Sequence, residues 1–298
     1  MTLIDLHFRG SGGVIASAVL RGPDGLVIVD PGPTSCLPTL EAGLAGIGGA
    51  LADVRTLLLT HIHLDHAGAT GTILARVPAA RAFVHERGAP HLIDPSKLLA
   101  SAARLYGDQM DVLWGRFDPS PADRVIVLRG GERLDVAGRP LRVAYTPGHA
   151  VHHVCYLDES DGTAYVGDTC GIRTAGAHTI AATPPPDIDV ELWRASLDQI
   201  EAWQPAALFL THFGPVGAAR AHLEQYREVL TRTADAVARS LAVGDTDEDR
   251  AAVFVEHMRA EARQVLSEHE ARALELAAPF EQIWAGLARY WRKKAPAA

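Results

Sequence analysis

The stretch Thr60-His61-Ile62-His63-Leu64-Asp65-His66 brings three imidazoles and a carboxylate together directly after the apolar residues Val54, Leu57, Leu58 and Leu59. Polar groups packed this densely at the end of a buried segment need partners. A metal ion supplies one, since nitrogen and oxygen donors suit first-row divalent cations. His61 and His63 lie two apart, and Asp65 and His66 are adjacent on the following turn, so the cluster can feed two neighbouring ions. Three other apolar runs end in a single donor. Leu141, Val143 and Tyr145 precede Thr146-Pro147-Gly148-His149; Ala164, Tyr165 and Val166 precede Gly167-Asp168; Leu208, Phe209 and Leu210 precede Thr211-His212. Together these make five histidines and two aspartates, enough for two ions if one carboxylate bridges them.

The elements that must position these donors follow from periodicity. Short apolar runs bounded by turn residues read as strands: Leu3 to Phe8, Val14 to Leu20, Leu26 to Val29, the run before His61, and Ala82 to His85. A second series covers Val125 to Leu128, Arg133-Leu134, Leu141 to Tyr145, His152 to Leu157 and Thr163 to Val166. Helices are expected at Pro38 to Ile47, at about Ala67 to Arg76, and at Asp189 to Trp203. Two strand series, each closed by a helix, imply two β-sheets packed face to face with helices outside. The donors then meet along one edge of the sandwich. Asp30 ends the third strand beside Pro31-Gly32, where it is expected to hydrogen-bond a ligand histidine and set its tautomer.

The order T-H-x-H-x-D-H, P-G-H, G-D, T-H, preceded by Asp30-Pro31-Gly32, resembles the signature of the metallo-β-lactamase fold superfamily over about residues 1 to 215. That resemblance implies an α+β, four-layer αβ/βα sandwich. It implies that His61, His63 and His149 hold one metal, that Asp65, His66 and His212 hold a second, and that Asp168 bridges them. The helical insert and tail look closest to the glyoxalase-II-like branch. On this reading residues 1–216 form the catalytic domain, with a helical insert at about 94–116, and residues 217–298 form a C-terminal helical extension. The cofactors implied are two divalent metal ions, zinc first, with iron or manganese also compatible with the donor set.

The chemistry expected is hydrolysis. Two divalent ions about 3.5 Å apart lower the pKa of a water between them and polarise the bond under attack. The target would be an ester, thioester, lactone or small phosphodiester, with Asp65 orienting the attacking oxygen. The alternative from the same branch is a mononuclear iron persulfide dioxygenase, which would use only His61, His149 and Asp168.

The formal charge of −8 leaves no footprint for a polyanion, so the expected partner is a small molecule rather than nucleic acid. Lysine occurs only at Lys97, Lys293 and Lys294. Cys36, Cys155 and Cys170 lack metal or disulfide spacing, which fits a reducing cytoplasm. No basic leader and no membrane-length apolar stretch is expected. Specificity is assigned to loops 88–120 and 171–188, with Arg173 and His178 as candidate contacts to an anionic substrate or leaving group. His85, His91, His152 and His153 are read as packing or supporting residues. Three amphipathic tail helices, with breaks near Gly244-Asp245 and Ser267, can pack back on the catalytic domain or form a homodimer contact.

Overall fold

The structure, a computed structural model, describes residues 1–173 and 178–295. Its first sheet runs in the order β1 (Thr2–Asp5), β2 (Ala16–Gly22), β3 (Gly25–Val29), β4 (Val54–Leu58), β5 (Arg81–His85) and β6 (Val125–Leu128). Pairing is antiparallel from β1 to β3 and parallel from β3 to β6. The parallel connections carry α1 (Leu37–Gly46), then α2 (Leu64–Ala67) and α3 (Thr70–Arg76), then α4 (Ala89–Ile93), α5 (Ser96–Tyr106) and α6 (Met110–Leu113).

The second sheet is built from β7 (Arg133–Val136), β8 (Arg139–Tyr145), β9 (Val154–Asp158) and β10 (Thr163–Gly167). A small ribbon, β11 (Ile172–Arg173) with β12 (Thr179–Ile180), and α7 (Val190–Ala202) come next. The sheet is completed by β13 (Ala207–Leu210), which pairs parallel with β10, and by β14 (Gly214–Val216) at its edge. The tail is α8 (Ala219–Leu241), α9 (Asp247–Val265), α10 (Glu268–Ala277) and α11 (Phe280–Lys294).

Three apolar layers hold this together. Ala18, Val29, Leu58, Val143, Tyr156 and Phe209 fill the space between the sheets. Leu40, Leu44, Ile73 and Leu74 pack helices on the outer face of the first sheet. Trp193, Leu197, Tyr226, Leu230, Phe280 and Leu287 cover the outer face of the second. The result is the four-layer αβ/βα sandwich, with the helical tail sharing the core of its second half.

Some elements differ from expectation. The first strand stops at Asp5 because its carboxylate accepts the amides of His7 (3.0 Å) and Gly13 (2.8 Å), and His7 and Arg9 turn with positive φ. This swings Phe8 inward, stacked on Trp114 at 5.4 Å. The helix expected from Ala67 begins at Leu64, so Asp65 and His66 occupy a first helical turn. The tail has four helices among the described residues rather than three. Pro279 ends the third by forcing Ala278 out of helical geometry (φ −144°).

Two glycines permit close contacts that shape the site. A Cβ on Gly148, itself at φ 133°, would overlap Trp193 of α7. One on Gly286 would strike the carbonyl of Thr183, whose hydroxyl donates to the Ile283 carbonyl at 2.9 Å. The tail is thereby seated on the segment that follows β12. Gly286→Ala is expected to lower unfolding stability by about 1–3 kcal/mol through overpacking. An unchanged midpoint in urea denaturation would show that this seat is looser than the geometry indicates.

Candidate metal centre

All seven sequence-predicted donors converge at the C-terminal ends of β4, β8, β10 and β13. His61 Nε2 lies 2.9 Å from His63 Nδ1, which lies 3.0 Å from His149 Nε2, so three ring nitrogens face one point. Asp65, His66 and His212 form a second trio. In it, Asp65 Oδ2 is 3.3 Å from His212 Nε2 and 3.6 Å from His66 Nε2. Asp168 sits between the trios. Its Oδ2 is 3.3 Å from His149 Nε2, and its Oδ1 is 3.3 Å from His66 Nε2 and 3.6 Å from His212 Nε2.

Behind the donors, a fixed framework sets each ring. Asp30 is wholly buried, at φ 51°, and its carboxylate accepts from the Thr60 amide (2.8 Å), the Thr60 hydroxyl (2.7 Å) and the Thr211 hydroxyl (2.8 Å). The same carboxylate meets His66 Nδ1 at 2.8 Å. His149 Nδ1 faces the Ala182 carbonyl at 2.9 Å and His212 Nδ1 the Val14 carbonyl at 2.6 Å, so both rings donate from Nδ1 and turn Nε2 to the centre. Helix α7 braces the loops from outside. Trp193 Nε1 donates to the Thr169 carbonyl at 2.7 Å, and the Ser196 hydroxyl to the Pro147 carbonyl at 2.6 Å.

The charges are unbalanced in a way that a cation resolves. Burial lowers the pKa of His61 well below the ordinary imidazole value, with further lowering by the His66 and His63 rings. Burial and His149 push His63 down to about 3. Burial also opposes charge on His66, yet Asp65, Asp168 and Asp30 outweigh it and hold that ring well above its usual value. For Asp168, burial is outweighed by the His66, His149 and His212 rings, which keep the carboxyl well below its usual range. His66 Nε2, His212 Nε2 and Asp168 Oδ1 are buried without a hydrogen-bond partner among the described residues. Such orphaned atoms facing one another are what a divalent ion would join, and the donor set fits the group on that ground.

The sequence profile of the metallo-beta-lactamase superfamily matches residues 10–212. The chain belongs to this superfamily. The metallo-beta-lactamase fold-containing protein ST1585 of Sulfurisphaera tokodaii is 32% identical over 181 residues, covering 58% of this chain and 67% of that one. Its crystal structure matches with a TM-score of 0.64, at 22% identity, over 92% of this chain and 93% of that one. A hydroxyacylglutathione hydrolase of a Synechococcus species is 29% identical over 151 residues, 51% of this chain and 47% of that enzyme. An atrochrysone carboxyl ACP thioesterase of Aspergillus fumigatus is 29% identical over 150 residues, 50% of this chain and 35% of that enzyme. The chain thus spans half or less of the length of these two hydrolytic relatives.

A cavity of about 470 Å³ opens beside the donors, with His63, Asp65 and Asp168 on its wall. His152, one of the two histidines after His149 read from sequence as supporting or packing residues, also lines it. The Ile62 amide donates to His152 Nδ1 at 3.4 Å, leaving the ring proton on Nε2, and burial keeps the ring neutral by lowering its pKa well below the usual value. Its position three residues after His149 was the available signal. His153 instead holds the loops, with Nδ1 2.9 Å from the Thr146 hydroxyl and Nε2 3.4 Å from the Asp168 amide. His91 lines the cavity, whereas His85 is buried and stacks on Tyr145 at 4.3 Å. Cys170 is a buried thiol whose pKa is raised by burial.

Arg173 and His178 do not line the cavity. They fall on and beside the β11–β12 ribbon, where the Arg173 amide donates to the His212 carbonyl at 2.6 Å and His178 lies near Glu261 and Arg232 of the tail. The second half of the same loop, Ala182 to Asp187, lines the cavity in their place. No helix among the described residues is long and apolar enough to cross a membrane.

Asp30→Asn removes one acceptor and turns an amide donor toward hydroxyl, amide or ring N–H groups that already donate. Metal affinity is expected to fall about 10–100-fold, measured by chelator competition, with the circular dichroism of the fold retained.

Proposed function

We propose that the chain is a dinuclear metal-dependent hydrolase acting on a thioester or related ester. The observation that carries this reading is the split of Asp168 between the trios, one carboxylate oxygen facing His149 and the other facing His66 and His212. A mononuclear iron dioxygenase would leave the convergence of Asp65, His66 and His212 without a purpose. The thioesterase and hydroxyacylglutathione hydrolase relatives support an acyl carbon as the point of attack.

His61, His63 and His149 would hold one ion, Asp65, His66 and His212 the other, with Asp168 shared. When bound, two such ions supply an activated water near neutral pH and polarise the bond under attack. The chain's own residues do the rest. Asp65, whose side chain keeps 19% exposure on the cavity side, accepts a hydrogen bond from the attacking water and orients it. His152 offers its Nε2–H to a substrate oxygen and stays neutral while doing so. The apolar walls exclude bulk water, which strengthens each of these contacts.

Elemental analysis of protein purified without added metal is expected to find about two ions per chain, zinc foremost. His212→Ala should lower this to about one and reduce thioester hydrolysis by at least about 100-fold. About one iron per chain with oxygen uptake would instead favour the dioxygenase. Because His66 and His212 hold protons above their ordinary pKa, metal uptake must displace them. Affinity is therefore expected to weaken from about pH 8 to about pH 6, with proton release on binding seen by calorimetry in buffers of different ionisation enthalpy.

A further inference from the structure

The cavity beside the donors extends well past the reacting centre. Beyond His63, Asp65 and Asp168 it is walled by Leu98, Ala102 and Leu105 of α5, by Leu276 of α10, by Ile283 of α11 and by the Pro184–Pro186 segment. These come from the insert, the tail and the loop after β12, none of which carries a donor. Insert and tail meet across it where the Tyr106 hydroxyl approaches Gln282 Oε1 at 3.4 Å. Leu105 is left 44% exposed, an apolar side chain bordering space that a ligand would fill.

Away from the donors the neutral polar side chains on the wall are few, Ser101, Tyr106 and Gln282 among them, so a sugar, nucleotide or peptide would bury most of its polar groups against hydrocarbon. The charged residues on the wall are of both signs: Arg87 and Lys97 against Asp65, Asp168, Asp187 and Glu275. They give no net attraction to an anion. At roughly 30 Å³ per water-sized group, the 470 Å³ volume holds on the order of fifteen non-hydrogen atoms.

We propose that this cavity takes the acyl chain of the substrate, a long hydrocarbon chain joined through its carbonyl to a thiol or alcohol. This rests on the hydrolase reading and names the acyl half of its substrate. In the reaction, the oxygen of water adds to the acyl carbon and the C–S or C–O bond breaks. The chain leaves as a carboxylate, the thiol or alcohol takes one of the water's protons, the other passes to solvent, and no redox partner is involved. Each buried methylene strengthens binding by at most about fourfold.

The test uses N-acetylcysteamine thioesters of acetate, octanoate and dodecanoate with the zinc-loaded protein, and calorimetric binding of dodecanoate to protein without added metal. The kcat/KM ratio of dodecanoyl to acetyl thioester is expected to exceed about 100, and dodecanoate to bind as one molecule per chain. Ala102→Trp, which fills the cavity, and Leu105→Arg, at a site exposed enough to tolerate the change, should each lower that ratio and weaken dodecanoate binding by at least about tenfold. Equal turnover of acetyl and dodecanoyl thioesters, or dodecanoate binding that neither variant alters, overturns the proposal and leaves the hydrolase reading standing. Dodecanoate binding that both variants weaken, with no thioester turned over, supports the cavity assignment and removes the hydrolase reading.

Discussion

The carboxylate of Asp30 is the constraint on which the site depends. A wholly buried anion must find donors, and it finds them on Thr60 after β4, on Thr211 after β13 and on His66 in α2. Three segments distant in sequence are therefore tied to one point at the end of β3. Two of them carry metal-ligand candidates next to the tied residue, His61 beside Thr60 and His212 beside Thr211. The backbone at φ 51° places that carboxylate between strands rather than along one. The strands meet at the same edge through the Val154 amide on the Thr60 carbonyl and the Ala16 amide on the Thr211 carbonyl, each at 2.8 Å.

The electrostatics follow from that tie. Asp30, Asp65 and Asp168 concentrate negative charge where solvent is scarce, and the rings nearest them respond in opposite ways. His66 and His212 retain protons, whereas His61 and His63 lose theirs. A centre that holds carboxylates and bare imidazoles side by side is poised for cations, and the chain's overall negative charge sets no barrier to their arrival.

How much of this was legible in the sequence depends on whether a feature is local. Each donor follows its own strand, so an apolar run ending in His or Asp could be read without knowing what it would meet. The layered fold was readable for the same reason, since strand and helix periods are written in successive residues. The early end of the first strand, and the inward turn of Phe8 with it, was missed because it depends on the His7 and Gly13 amides donating to the Asp5 carboxylate, which a hydrophobic pattern does not encode. The exchange of Arg173 and His178 for Pro184 to Pro186 as cavity residues turns on the pairing of Ile172–Arg173 with Thr179–Ile180. Two residues per strand carry no periodic signal. The fourth tail helix hid behind a single proline.

The seating of Gly286 on Thr183 makes the tail one wall of the cavity. The last donor candidate, His212, precedes every tail helix in the chain. Leu276 and Ile283, which wall the cavity, follow more than sixty residues later. Without those residues the cavity beside the donors lacks one wall. Donor candidates and far wall are thus carried by separate stretches of the chain, so a substitution in the tail can reshape the cavity without touching a donor.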